Sequence, residues 1–157
     1  MSMPNKVKAL ILTLCLMSMT GVAQASFFKG MTALEVSQEV TVQLLTGTSV
    51  DMIAKTAHEA GLKSAQVASS LIQSGQKPAA VVSAVIKVDP QAAGAITAAA
   101  LIIKPAQAAV ITAAAISAAP EQSRAIVAAA LAVPSVDPST VLPATAAGGN
   151  KEQGKGR

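Results

Sequence analysis

Tryptophan and tyrosine are absent from this chain, and its only two phenylalanines, Phe27 and Phe28, stand side by side. The interior must therefore be built from Ala, Val, Ile and Leu. Such side chains contribute about 0.8 kcal/mol per buried methylene, and their small size lets helix axes approach closely. With the aromatics go the platforms on which nucleic-acid bases stack, and no stripe of Lys and Arg replaces them, so the footprint of a nucleic-acid binder is missing. Cysteine and histidine occur once each, as Cys15 and His58. One Cys excludes an internal disulfide, and one His with scattered acids does not supply a metal-ligand set. No P-loop, nucleophile elbow or Gly-rich phosphate cradle is present, so neither a cofactor nor a metal is expected.

Charge is sparse and unevenly placed. Residues 1–8 carry Lys6 and Lys8 with no acid, Ala9 to Met19 is apolar, and Ala23-Gln24-Ala25 follows. A basic start, an apolar run too short to span a bilayer as a mature helix, and small residues at both specificity positions describe a secretory signal peptide. Residues 1–25 are accordingly expected to be cleaved, leaving a mature chain from Ser26 in the periplasm or outside the cell. A lipoprotein is excluded because Cys15 lies inside the apolar run. The 12 basic and 8 acidic residues become 10 and 8 once Lys6 and Lys8 are removed. From Ser26 to Asn150 there are seven of each sign, so the remaining excess sits in the tail KEQGKGR. The sequence pI of about 9.5 thus says nothing about an anionic partner. Gly and Lys make up six of residues 148–157, the composition of a disordered basic tail.

Between these ends the chain repeats itself. Ile53, Val67, Val82, Ile96, Ile111, Ile126 and Val141 recur at nearly constant spacing, and the first six each open the apolar face of an Ala-rich segment. Gly61, Gly75, Asp89-Pro90, Lys104-Pro105, Ala119-Pro120 and Asp137-Pro138 punctuate the segments. Gly just past a helix end and Pro at a helix start are stop and start signals, with Asp as a preceding cap. Each unit therefore reads as one short helix and a turn, and alanine's helix propensity agrees with that reading. One hairpin cannot bury its apolar face alone, so stacking is required. The fold expected over residues 26–147 is an all-α array of repeats of about 15 residues, forming a small α-solenoid or a multi-helix bundle. Ahead of the repeats, Thr32 and Glu35 form a capping-box pattern, and Ala33, Val36, Val40 and Leu44 share one helical face. Val40, Val42 and Leu44 also alternate as a strand would; helix is preferred, as a first helix whose polar outer face closes the array. After the leader no stretch of about 20 residues is apolar and free of Pro and charge, so no spanning helix is expected.

His58 shares a helical face with Asp51 and Lys55, beside Glu59. That pattern would suit a general base oriented by a carboxylate, but it equally describes a solvated face with ordinary charge pairs, and a catalytic role is not expected. A second apolar stripe is the candidate interface. At 100° per residue, Leu101, Ile116 and Leu131 lie about 140° from Ile96, Ile111 and Ile126, and Ile72 has the same offset from Val67. Lys87 falls in this register, five positions after Val82. An unpaired lysine is rarely buried, so the stripe is expected to reach solvent as a ridge for self-association or a protein partner. These observations describe an exported, non-catalytic envelope or surface protein acting as an interaction or assembly module. The alternative is an accessory subunit docking on an envelope or secretion complex or on a membrane surface. Peripheral membrane contact fits either reading; nucleic acid and a small-molecule substrate do not enter.

Overall fold

The computed structural model describes residues 27–142; the expected signal peptide and the basic tail lie outside the described residues. Within them the chain is all-helical, with α1 at Ala33–Leu45, α2 at Val50–Glu59, α3 at Ser64–Gln73 and α4 at Pro78–Val88. Three further helices follow, α5 at Ala93–Ile103, α6 at Ala108–Ala118 and α7 at Ser123–Leu131, and residues 138–142 are again helical.

Local chemistry sets the boundaries. Thr32 and Glu35 form the expected capping box: the Glu35 amide donates to Thr32 Oγ1 at 3.3 Å, and the Thr32 amide donates to Glu35 Oε2 at 2.7 Å. The segment that also alternates as a strand is helical, because the cap and the buried pair Val36 and Val40 both follow a helical period. Helices α1, α2 and α3 stop on Gly47, Gly61 and Gly75, all at positive φ. At Gly61 the paired bonds of a Schellman motif are present: its amide donates to His58 O, and that of Leu62 donates to Ala57 O. From α4 onward the terminator changes. Asp89, Lys104 and Ala119 take up extended backbone at φ −133°, −134° and −141°. Each is followed by a proline that starts a 3-10 turn leading into the next helix. Proline cannot continue a helix but is preorganised to begin one. The repeat with a proline turn is longer by one position than the repeat with a glycine turn.

That switch in turn chemistry fixes the repeat register. Ile53, Val67, Val81, Ile96, Ile111 and Ile126 are all buried, and their spacing lengthens by one where the proline turns begin. Val81, rather than Val82, is the counterpart of Ile96. One turn further along each helix lie Ala57, Leu71, Val85, Ala100, Ala115 and Ala130, which are also buried. Burying a side chain as large as Ile or Leu is worth roughly 1.5–3 kcal/mol, and the column of isoleucines and valines forms the spine of one continuous core.

Helices two apart in sequence pack against each other more extensively than sequence neighbours do. The result is two rows, α1, α3, α5 and α7 in one and α2, α4 and α6 in the other, with each helix touching mainly those before and after it in its row. This is the arrangement of a short α-solenoid. Small residues allow the approach. A Cβ added at Gly94 in α5 would lie 3.2 Å from the Ala125 carbonyl oxygen and 3.6 Å from Ala129 Cβ in α7. No helix among the described residues is long and apolar enough to cross a membrane.

Candidate functional site

The expected interface stripe does not form a ridge. Ile72, Leu101 and Ile116 are buried to 3% exposure or less, and Leu131 alone reaches solvent, at 43%. The register explains the difference. With Val81 as the counterpart of Ile96, the residue matching Leu101 in α4 is Ile86, which is fully buried. Lys87 instead matches Ile102 and Ser117, both exposed. The lysine therefore marks the solvent face one position beyond the stripe. Ile86, Leu101 and Ile116 face neighbours within the array, whereas Leu131 lies at the end of α7, the last helix of its row.

His58 occupies this same column in α2, where the later repeats place Ile72, Ile86 and Leu101. Its partner is not Asp51, on its own helix, but Asp89 at the end of α4: His58 Nδ1 lies 4.0 Å from Asp89 Oδ2. The same carboxylate oxygen accepts a 2.6 Å hydrogen bond from Ser64 Oγ, at the start of α3. These three side chains line an open cleft of about 480 Å³ together with Gly61, Leu62, Lys63, Ala65, Ala92 and Ala95. No spacing in the sequence singles out Ser64 and Asp89. They are distant along the chain, and only the stacking of neighbouring repeats brings them together.

The order of these groups decides what they can do. In a nucleophilic relay the imidazole lies between hydroxyl and carboxylate, taking the hydroxyl proton as base while the carboxylate holds its other nitrogen. Here the carboxylate lies in the middle, and the buried Ser64 hydroxyl spends its proton on it. Ser64 is the first residue of α3, and Lys63, the cap residue, provides no side-chain bond. Asp89 thus brings a negative charge and an acceptor to the start of α3 from the end of α4, a favourable interaction with the helix dipole. The cluster ties three successive helices together. Among the described residues no three His, Cys, Asp or Glu side chains gather as a metal site would require.

The larger uncovered feature is the outer side of α1. Leu34 and Leu45 are 68% and 83% exposed, and Val42 is exposed between them. At 100° per residue the two leucines lie about 20° apart and roughly opposite the buried Val36 and Gln43. The outer face of the first helix therefore carries a stripe of Leu34, Val42 and Leu45 among the exposed Glu35, Gln38 and Thr41, rather than the wholly polar face expected of a terminal cap. Its inner side, with the buried Val36, Val40 and Gln43, meets α3, and at one edge of the outer face Thr41 Oγ1 lies 3.5 Å from Ser74 Oγ, just past the end of α3. No family model, no curated protein and no solved structure matches this chain.

Proposed function

We propose that the chain is an exported, non-catalytic protein of the cell envelope or surface whose helical array serves as an interaction and assembly module. The observation that carries this reading is the apolar stripe on the outer face of α1, placed at the end of an open repeat array where the next layer would stack. Terminal repeats of such arrays normally turn a polar face outward, because stacking otherwise continues there. A large exposed apolar surface on such an element marks a site of association. The wiring of Ser64, Asp89 and His58 as a tie between helices supports a non-catalytic role, and the pattern of residues 1–25 supports export.

Cross-linking in intact cells tests the reading. The protein recovered from outside the cytoplasm should have the mass of a chain beginning at Ser26 and should form discrete covalent adducts heavier than itself. A chain with His58→Gln and Ser64→Ala should form the same adducts and keep any associated phenotype. Full-length mass in that fraction, or a protein that never enters an adduct, would contradict the proposal.

A further inference from the structure

Resting on the reading of the chain as an assembly module, and naming its partner, we infer that the outer face of α1 binds a second copy of the same chain. The two α1 helices run antiparallel about a two-fold axis. Three observations lead there. First, the middle of the face, between Leu34 and Leu45, carries no formal charge, and the exposed Glu35 stands at its edge beside Val42. The face consists of Leu34, Gln38, Thr41, Val42 and Leu45, and the nearby acids are engaged within their own helix. Glu35 accepts from Thr32, and Glu39 accepts from the Gln43 side-chain Nε2 at 3.2 Å. Near a two-fold axis a residue meets its own symmetry mate or a close neighbour of it, so like charges there would repel.

Second, Leu34, Gln38, Thr41 and Leu45 keep the same spacing in both directions, while Val42 falls opposite Ser37. In an antiparallel pair centred between Glu39 and Val40, Leu34 of one copy lies opposite Leu45 of the other, and Gln38 lies opposite Thr41. Each pairing occurs twice, as an isologous interface requires. The leucines meet at both ends, and groups able to hydrogen bond meet near the centre.

Third, the opposite end of the array does not complement this face. Arg124 in α7 holds the repeat position that Gly94 holds in α5, two repeats earlier. At Gly94 even a Cβ would lie 3.2 Å from the backbone of α7, the next helix of the row. An arginine there prevents another helix from stacking on α7 as α7 stacks on α5, so head-to-tail growth into a filament is blocked. Among the described residues, the α1 end of this row is the one open to a stacking partner, and the assembly closes as a dimer.

The test uses the full chain carrying Cys15→Ser, expressed and exported, with light scattering over a concentration series. A dimer is expected, and Leu34→Lys with Leu45→Lys should weaken it on the order of 100-fold or more while leaving the helical circular dichroism and melting unchanged. Cysteine pairing then fixes the geometry. Leu34→Cys mixed with Leu45→Cys should give a disulfide-linked dimer on mild oxidation, whereas Leu34→Cys alone should not, because its two copies would lie about 16 Å apart along the helices. A monomer at every concentration overturns the inference, as does a dimer unaffected by the lysines or equal linking of Leu34→Cys to itself. Cellular adducts with a different protein, together with a monomer in isolation, would keep the assembly reading and remove the second copy as its partner.

Discussion

Thr97 and Thr112 occupy the same position in successive repeats, fully buried in α5 and α6, yet they differ in one bond. The Thr97 hydroxyl donates to the Ala93 carbonyl one turn earlier, at 2.8 Å. Among the described residues, the Thr112 hydroxyl is the buried side-chain group without a partner. A buried hydroxyl without a partner costs about 1–3 kcal/mol, whereas exchanging a satisfied one for a methyl is close to neutral. Thr112→Val should therefore raise stability by about 1 kcal/mol, and Thr97→Val should change it by less. Chemical denaturation of the two variants beside the parent measures both, and an equal response would show that the two hydroxyls are equally satisfied. Single residues are also where the sequence is hardest to read. Val81 and Val82 are adjacent, both apolar and both buried, so periodicity cannot choose between them. Starting from Val82 places Lys87 in the register of Leu101 and turns a core column into an expected ridge. The contact of His58 with Asp89 is illegible for a different reason, since it crosses between helices and leaves no local spacing to detect.

At the scale of the helix, caps and punctuation are legible because their chemistry is local. The Thr32 and Glu35 box, the glycine stops and the proline starts all appear as the residue types require. Two details differ. Asp89 and Asp137 both precede prolines, but Asp89 makes no side-chain cap bond to the turn it precedes and instead serves Ser64. Asp137 accepts from the Ser139 amide at 2.8 Å. The outer face of α1 is hidden in the sequence because Leu34, Val42 and Leu45 are diluted among Glu35, Gln38, Glu39 and Thr41, so its average polarity masks a stripe. The capping box has a consequence in pH. The Thr32 backbone amide, and then its side chain, hold the Glu35 carboxyl below its ordinary value of 4.5. A group whose folded pKa is lowered contributes above its unfolded pKa and loses that contribution as the pH falls through the folded value. The start of α1 should therefore be constant from about pH 7 to 5 and loosen only below about 4.5. An NMR titration of the Thr32 amide should show a midpoint below the ordinary value, and Glu35→Gln should abolish it. A midpoint at or above the ordinary value of 4.5 would mean that the box does not hold in solution.

For the whole molecule, the existence of the array follows from repetition, alanine content and the inability of one hairpin to bury its own face. What the sequence leaves open is whether the units form a solenoid or a bundle. That depends on whether each helix packs chiefly on its neighbour or on the helix after it, and both arrangements bury the same residues. The deciding feature is the close approach at Gly94, where the absence of a side chain lets α5 meet Ala125 and Ala129 of α7 directly, with α6 in the other row. Helices α1 and α7, at the two ends of their row, then become unlike. One carries Arg124 at the repeat position of Gly94, and the other presents leucines to solvent. Both the self-association inference and the core assignment of Leu101 and Ile116 depend on this two-row stacking. It can be tested without any variant, by recording nuclear Overhauser effects between the Gly94 α-protons and the Ala129 methyl in alanine-methyl-labelled protein. A clear cross-peak between these residues, two repeats apart in sequence, is predicted. If Gly94 shows effects only to residues of its own helix and of α4 and α6, with none to α7, the two-row array is wrong.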